Sequence, residues 1–254
     1  EYFTRALDAV AAEQGEPSSP LLRARGQAHE TLGQFGKAQA DYEFALQQAR
    51  QIGQPQAEWQ SLLDLGFLWL SRAYSKSGEY FQEALHFARA TGDPLMLGHS
   101  LNRVGNWYIN IDLPCEALRI HQEALDIFQK LNDPRGLAET YDLLGITSFE
   151  ACDFVSGARY YENAIRRFRE LGNFRGLSSS LANLSACAST YWLDFVVPAP
   201  ISLRVAAQMA EEAQRLASEI GWRAGEAFAA GQLSGLLGSQ GDYGRALERA
   251  RSSL

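Results

Sequence analysis

Apolar residues along this chain keep a helical period, and the pattern is interrupted in the same way roughly every 40 residues. Between Leu101 and Asp133, the side chains of Leu101, Val104 and Tyr108 fall on one helical stripe. Ala117, Leu118, His121, Ala124, Leu125 and Phe128 fall on a second. This three-and-four spacing gives a helix one face to bury. The stretch returns 40 residues later as TYDLLGITSFEACDFVSGARYYENAIRRFRELGN, and about 40 earlier as LLDLGFLWLSRAYSKSGEYFQEALHFARATGD. A fixed period of this length marks an array of helical units, each packed on its neighbours.

Three columns set the register. Ala6, Ala45, Ala84, Ala124, Ala164 and Ala213, with Ser253 in the same place, are separated by steps of 39, 39, 40, 40, 49 and 40. Gly26, Gly66, Gly105, Gly145, Ser185 and Ser234 form a second small-residue column, and small residues let helices cross closely. Gly15, Gly53, Gly92, Asn132, Gly172 and Gly221 close each unit. Gly, and less easily Asn, takes the left-handed conformation that ends a helix. The columns predict thirteen helices. One stands alone at 1–14, in a partial unit 1–16. Six antiparallel pairs follow over 20–53, 55–92, 94–132, 134–172, 174–221 and 222–254, the last cut short. Starting and stopping inside a unit suggests a piece of a longer array.

The pattern apolar-x2-apolar-Gly-x2-aromatic, then Ala-x3-aromatic-x2-Ala, resembles the tetratricopeptide repeat. It stands as Leu101, Val104, Gly105, Tyr108, Ala117, His121 and Ala124, and as Tyr141, Leu144, Gly145, Gly157, Tyr161 and Ala164. His121 and Ser148 replace aromatic residues. The period is longer than the usual ~34 residues. It is similar to the long-helix variety found in peptide-holding scaffolds and in the sensor arms of bacterial signalling ATPases and transcription activators. HEAT and armadillo repeats share the period but fit the small-residue columns less well. The resemblance implies an all-α fold, a right-handed solenoid of antiparallel helix pairs. It also implies a concave groove lined by the first helix of each pair. Carried over position by position, the groove comprises Arg23, Gln27, Leu63, Phe67, Asn102, Asn106, Ile109, Asn110, Asp142, Ile146 and Phe149, with Ala182 and Ala186 beyond. Asn102 and Asn106 would hold the backbone of an extended peptide, since each amide both donates and accepts.

The 49-residue step inserts an apolar segment around 193–201. Leu193, Phe195, Val196 and Val197 are expected to pack on the array's own edge or to form an interface.

Composition narrows the function. Hydrophobic residues make up 46% and charged residues 21%, as in folded chains. A formal charge of -7 argues against a nucleic-acid partner, which needs a basic face. No apolar run is long enough for a membrane span, which takes roughly 20 residues. The chain opens at Glu1 without a charged-then-apolar leader, so no signal peptide is expected and the setting read is cytoplasmic. Cys115, Cys152 and Cys187 lack C-x-x-C spacing and read as reduced, partly buried thiols. His29, His86, His99 and His121 lie far apart, with no metal-binding spacing; His29 and His121 are expected in the core. Neither a phosphate-cradling glycine loop nor a nucleophile with an adjacent base is present, so neither catalysis, metal nor cofactor is expected. The reading is a non-catalytic protein-interaction module that binds a protein or peptide segment, part of a larger regulatory protein. Two alternatives stay open: a ligand-sensing arm of a signalling ATPase, and a scaffold that forms a homodimer.

Overall fold

The computed structural model describes residues 18–188 and 201–252. The described residues are all helical or in turns. They form α1 (Ser19–Thr31), α2 (Phe35–Gln51), α3 (Pro55–Trp69), α4 (Tyr74–Thr91), α5 (Pro94–Ile109) and α6 (Pro114–Leu131), then α7 (Pro134–Glu150), α8 (Phe154–Glu170), α9 (Phe174–Ala186), α10 (Leu203–Glu219), α11 (Arg223–Ser239) and α12 (Tyr243–Ser252). The expected lone helix at 1–14 lies outside the described residues, as do Leu193, Phe195, Val196 and Val197.

Helix boundaries follow local chemistry. Prolines open α3, α5, α6 and α7, where a missing N–H costs nothing. Side chains cap several starts: Asp133 accepts from the N–H groups of Arg135 and Gly136 at 3.2 and 3.1 Å, and Asn173 from that of Gly176 at 3.0 Å. The closing column behaves as its composition demands, since Gly53, Gly92, Asn132, Gly172 and Gly221 all have positive φ. Inside the pairs, Gly33 and Gly241 play the same part, but two other turns use different residues. Asp112 and Cys152 hold φ of 60° and 62° there, without a glycine's freedom.

The chain forms two compact units, Glu1–Trp107 and Tyr108–Leu254. In the first, α1 packs on α2, α2 on α3 and α3 on α4, and α1 also meets α3. In the second, each helix from α6 to α12 packs on the next, and α9 additionally meets α7 and α11. Within each unit these helices therefore touch their neighbours in sequence, and α1 with α3, α7 with α9 and α9 with α11 also meet as next but one, as expected of stacked pairs.

The small-residue columns mark the closest approaches. Ala45, Ala84, Ala124, Ala164 and Ala213 are fully buried. A methyl group on Gly26 would lie 2.5 Å from the Tyr42 ring, one on Gly66 2.3 Å from Phe81, and one on Gly145 2.7 Å from Tyr161. In these three pairs the first helix thus gives up a side chain so that the second can seat its aromatic ring. The hydroxyl of Ser19 donates to Ala45 O at 3.0 Å, and that of Ser178 to Ala213 O at 2.8 Å. The two bonds occupy the same repeat position once the nine inserted residues are removed. His121 is buried as expected, with Nδ1 3.0 Å from Thr147 Oγ1. His29 is only half-buried and pairs with Gln34 in an exposed bond of 2.9 Å, because α1 ends two residues later. Among the thiols only Cys187 is buried; Cys115 and Cys152 are exposed at the helix turns.

Candidate functional site

Within each unit, the first helices of successive pairs meet side chain to side chain. In the first unit, Arg23 on α1 reaches α3, with Nε 2.5 Å from Asp64 Oδ2 and Nη1 2.5 Å from Gln60 Oε1. Burial raises the Asp64 carboxyl above its ordinary range against the opposing pull of Arg23. Two turns on, Glu30 accepts from the Tyr42 hydroxyl at 3.0 Å. On α3, Phe67 stands edge-on to Phe81 at 5.4 Å, and the Arg103 guanidinium from α5 lies 5.5 Å from the Phe67 ring. Burial pushes Arg103 down to about 10. Trp59 on α3 donates to Ser100 Oγ on α5 at 2.8 Å.

These contacts sort the expected groove residues. Arg23 is engaged with its own chain, Gln27 is exposed, and Leu63 packs partly against the core. Phe67 keeps 40% of its surface. Asn102 corrects the expectation. It is completely buried, so it cannot reach a peptide on an open face. Its place beside the fully buried Leu101 and the almost fully buried Val104 turns it into the packing, one turn before the half-buried Asn106. At the end of α5, Ile109 is half-buried and Asn110 exposed.

The second unit carries an open-sided cavity of about 720 Å³. Arg135, Glu139 and Asp142 come from one face of α7, while Arg175, Gly176 and Ser179 come from the first turns of α9. Phe168 and Leu171 at the end of α8 and Trp222 before α11 complete the wall. Asp142 alone among these was expected from sequence. Its Oδ1 accepts from the Ser180 hydroxyl at 2.5 Å, and burial pushes its carboxyl up to about 6. Further along the same face, Ile146 and Phe149 pack against the core, with Phe149 edge-on to Phe154 at 4.8 Å.

Arg135 and Arg175 stand 40 residues apart, so the repeat itself carries the signal that would have found them. Both are exposed, and neither forms an ion pair with a carboxylate among the described residues. The Arg175 guanidinium lies 4.9 Å from the Trp222 ring, a cation–π contact that holds it in place. Among the described residues, no group of three or more His, Cys, Asp or Glu is placed to hold a metal. No described helix is long and apolar enough to cross a membrane.

No protein-family model matches the chain, and no curated protein matches it in sequence. Solved structures do match. The apo form of RapI superposes with a TM-score of 0.74 at 13% identity, covering 99% of this chain and 87% of that one. A signal transduction ATPase with numerous domains from Pyrococcus horikoshii, which carries a tetratricopeptide repeat sensor, gives 0.72 at 17% identity, covering 99% and 38%. The Rap conjugation gene regulator of plasmid pLS20, in complex with the Phr* peptide, gives 0.70 at 14%, covering 99% and 66%. The fold is therefore that of tetratricopeptide-type helical repeat proteins.

Proposed function

We propose that the chain is a non-catalytic interaction module, set in the cytoplasm, that takes a peptide segment along the face of its first-of-pair helices. The observation that carries this reading is the face itself. Arg23–Asp64, Arg103–Phe67 and Asp142–Ser180 link first helices directly within each unit, and in the second unit that face opens into the cavity. Half-exposed side chains stand on this face within each unit, Phe67 and Asn106 in the first, Ile109 and Ile146 in the second. Helical arrays use such faces for extended peptides, whose backbone groups need partners when they leave water. The likeness to a regulator bound to a peptide supports the reading. The alternative, a ligand-sensing arm of a signalling ATPase, draws on the likeness to the Pyrococcus ATPase, of which the chain spans little more than a third. Selection of the full chain against a random peptide library, followed by titration, tests the proposal. Phe67→Ala with Asn106→Ala should weaken the selected peptide at least tenfold, about 1.4 kcal/mol, while the helical signal is unchanged. Unchanged affinity, or a library that returns nothing, refutes it.

A further inference from the structure

We propose that the cavity between the first turns of α7 and α9 seats an acidic side chain, Asp or Glu, of the bound peptide, gripped by Arg135 and Arg175. This deepens the peptide reading and rests on it. The cavity's volume of about 720 Å³ falls within the range of ligand sites, roughly 300–1,000 Å³. Two guanidiniums line it without a carboxylate partner among the described residues, and a planar guanidinium is shaped to grip a carboxylate with two hydrogen bonds. Arg175 is already held against Trp222, so less side-chain freedom is lost when it binds. Both arginines lie in the first turns of their helices, whose free N–H groups are capped by Asp133 and Asn173, so the grip falls to the guanidiniums themselves. The Ser179 hydroxyl lines the same wall.

The charges lining the cavity decide the sign of the preference. Arg135, Glu139 and Arg175 share the wall with Asp142, while Ser180 from α9 bonds its carboxyl and Tyr161 from α8 lies close enough to feel its charge. Glu139 and Asp142 are the carboxylates of this wall, and burial favours the neutral form of Asp142 as pH falls toward about 6. A protonated Asp142 no longer repels an incoming carboxylate, whereas a Lys or Arg side chain would meet two like charges at any pH.

The test uses the full chain and three random octapeptide libraries fixed at the centre as Glu, Gln or Lys. Glu-centred peptides should be retained at least tenfold over their Gln counterparts. That preference should collapse in Arg135→Gln and in Arg175→Gln, with retention of Gln-centred peptides and the melting temperature unchanged. The preference should also be larger at pH 6 than at pH 8. Retention without preference for Glu, preference for Lys, or a Glu preference that survives both arginine changes overturns this proposal and leaves the peptide reading standing. If none of the three libraries is retained, both fall. Should either glutamine variant fail to fold, Arg135→Lys and Arg175→Lys keep the charge but lose the paired geometry, and the preference should still drop severalfold.

Discussion

Gly145→Ala is the sharpest probe of how the pairs are packed. Alanine is normally the better helix former by about 1 kcal/mol, so in open space this change stabilises. At Gly145 the new methyl group would lie 2.7, 2.8 and 2.8 Å from three atoms of the Tyr161 ring, where ordinary contact begins at 3.4 Å. The ring would have to retreat by about 0.7 Å, the difference between 3.4 and 2.7 Å, and it is only 2% exposed. Overpacking of this kind costs about 1–3 kcal/mol, which outweighs the gain in propensity. The control is Gly235→Ala on α11, where nothing lies within 4 Å and only the propensity gain applies. Urea denaturation of the full chain, followed by helical signal, should move the midpoint down for Gly145→Ala and up for Gly235→Ala. The separation should be roughly 2 kcal/mol. In a Tyr161→Leu background the Gly145 penalty should shrink, since the ring it meets is gone. Equal upward shifts for the two alanine variants would refute the tight crossing.

Three further outcomes follow from the same geometry. Asp142 has a carboxyl raised from 3.8 to about 6 by burial, so the folded chain holds its proton more tightly than the unfolded chain. Stability contributed by the protonated form is present below about pH 4 and is lost as pH rises to about 6, a difference of about 3 kcal/mol. Asp142→Asn, whose amide oxygen can still accept from Ser180, should therefore raise the melting temperature more at pH 7.5 than at pH 4.5; equal shifts at both would contradict the assignment. Cys152→Gly relieves a non-glycine residue held at φ 62° and should stabilise by roughly 1 kcal/mol in the same urea assay. Trp59→Phe removes the bond to Ser100 and should cost about 0.5–1.5 kcal/mol, with no effect on peptide selection through α7 and α9.

The repeat was legible because its determinants are local. Gly53, Gly92, Asn132, Gly172 and Gly221 announce helix ends by backbone chemistry alone, and prolines at 55, 94 and 134 announce the next starts. The alanine and glycine columns located the buried crossings for the same reason. The site was only partly legible. Position in the repeat placed Asp142 among the groove residues, and it lines the cavity; it also placed Asn102 there, and Asn102 is completely buried. The cavity joins the end of α8 to the residue before α11, a meeting set by packing and by a turn after the inserted segment. Arg135 and Arg175 look like ordinary surface charges until the wall around them is known.

Hydrogen exchange of the full chain, with and without a library-selected peptide, tests the central claim most directly. Exchange should slow on the first-of-pair helices, most strongly over residues 134–146 of α7 and 174–180 of α9, with α6, α8 and α10 unchanged. Protection confined to those second helices, or to 193–201, would contradict it.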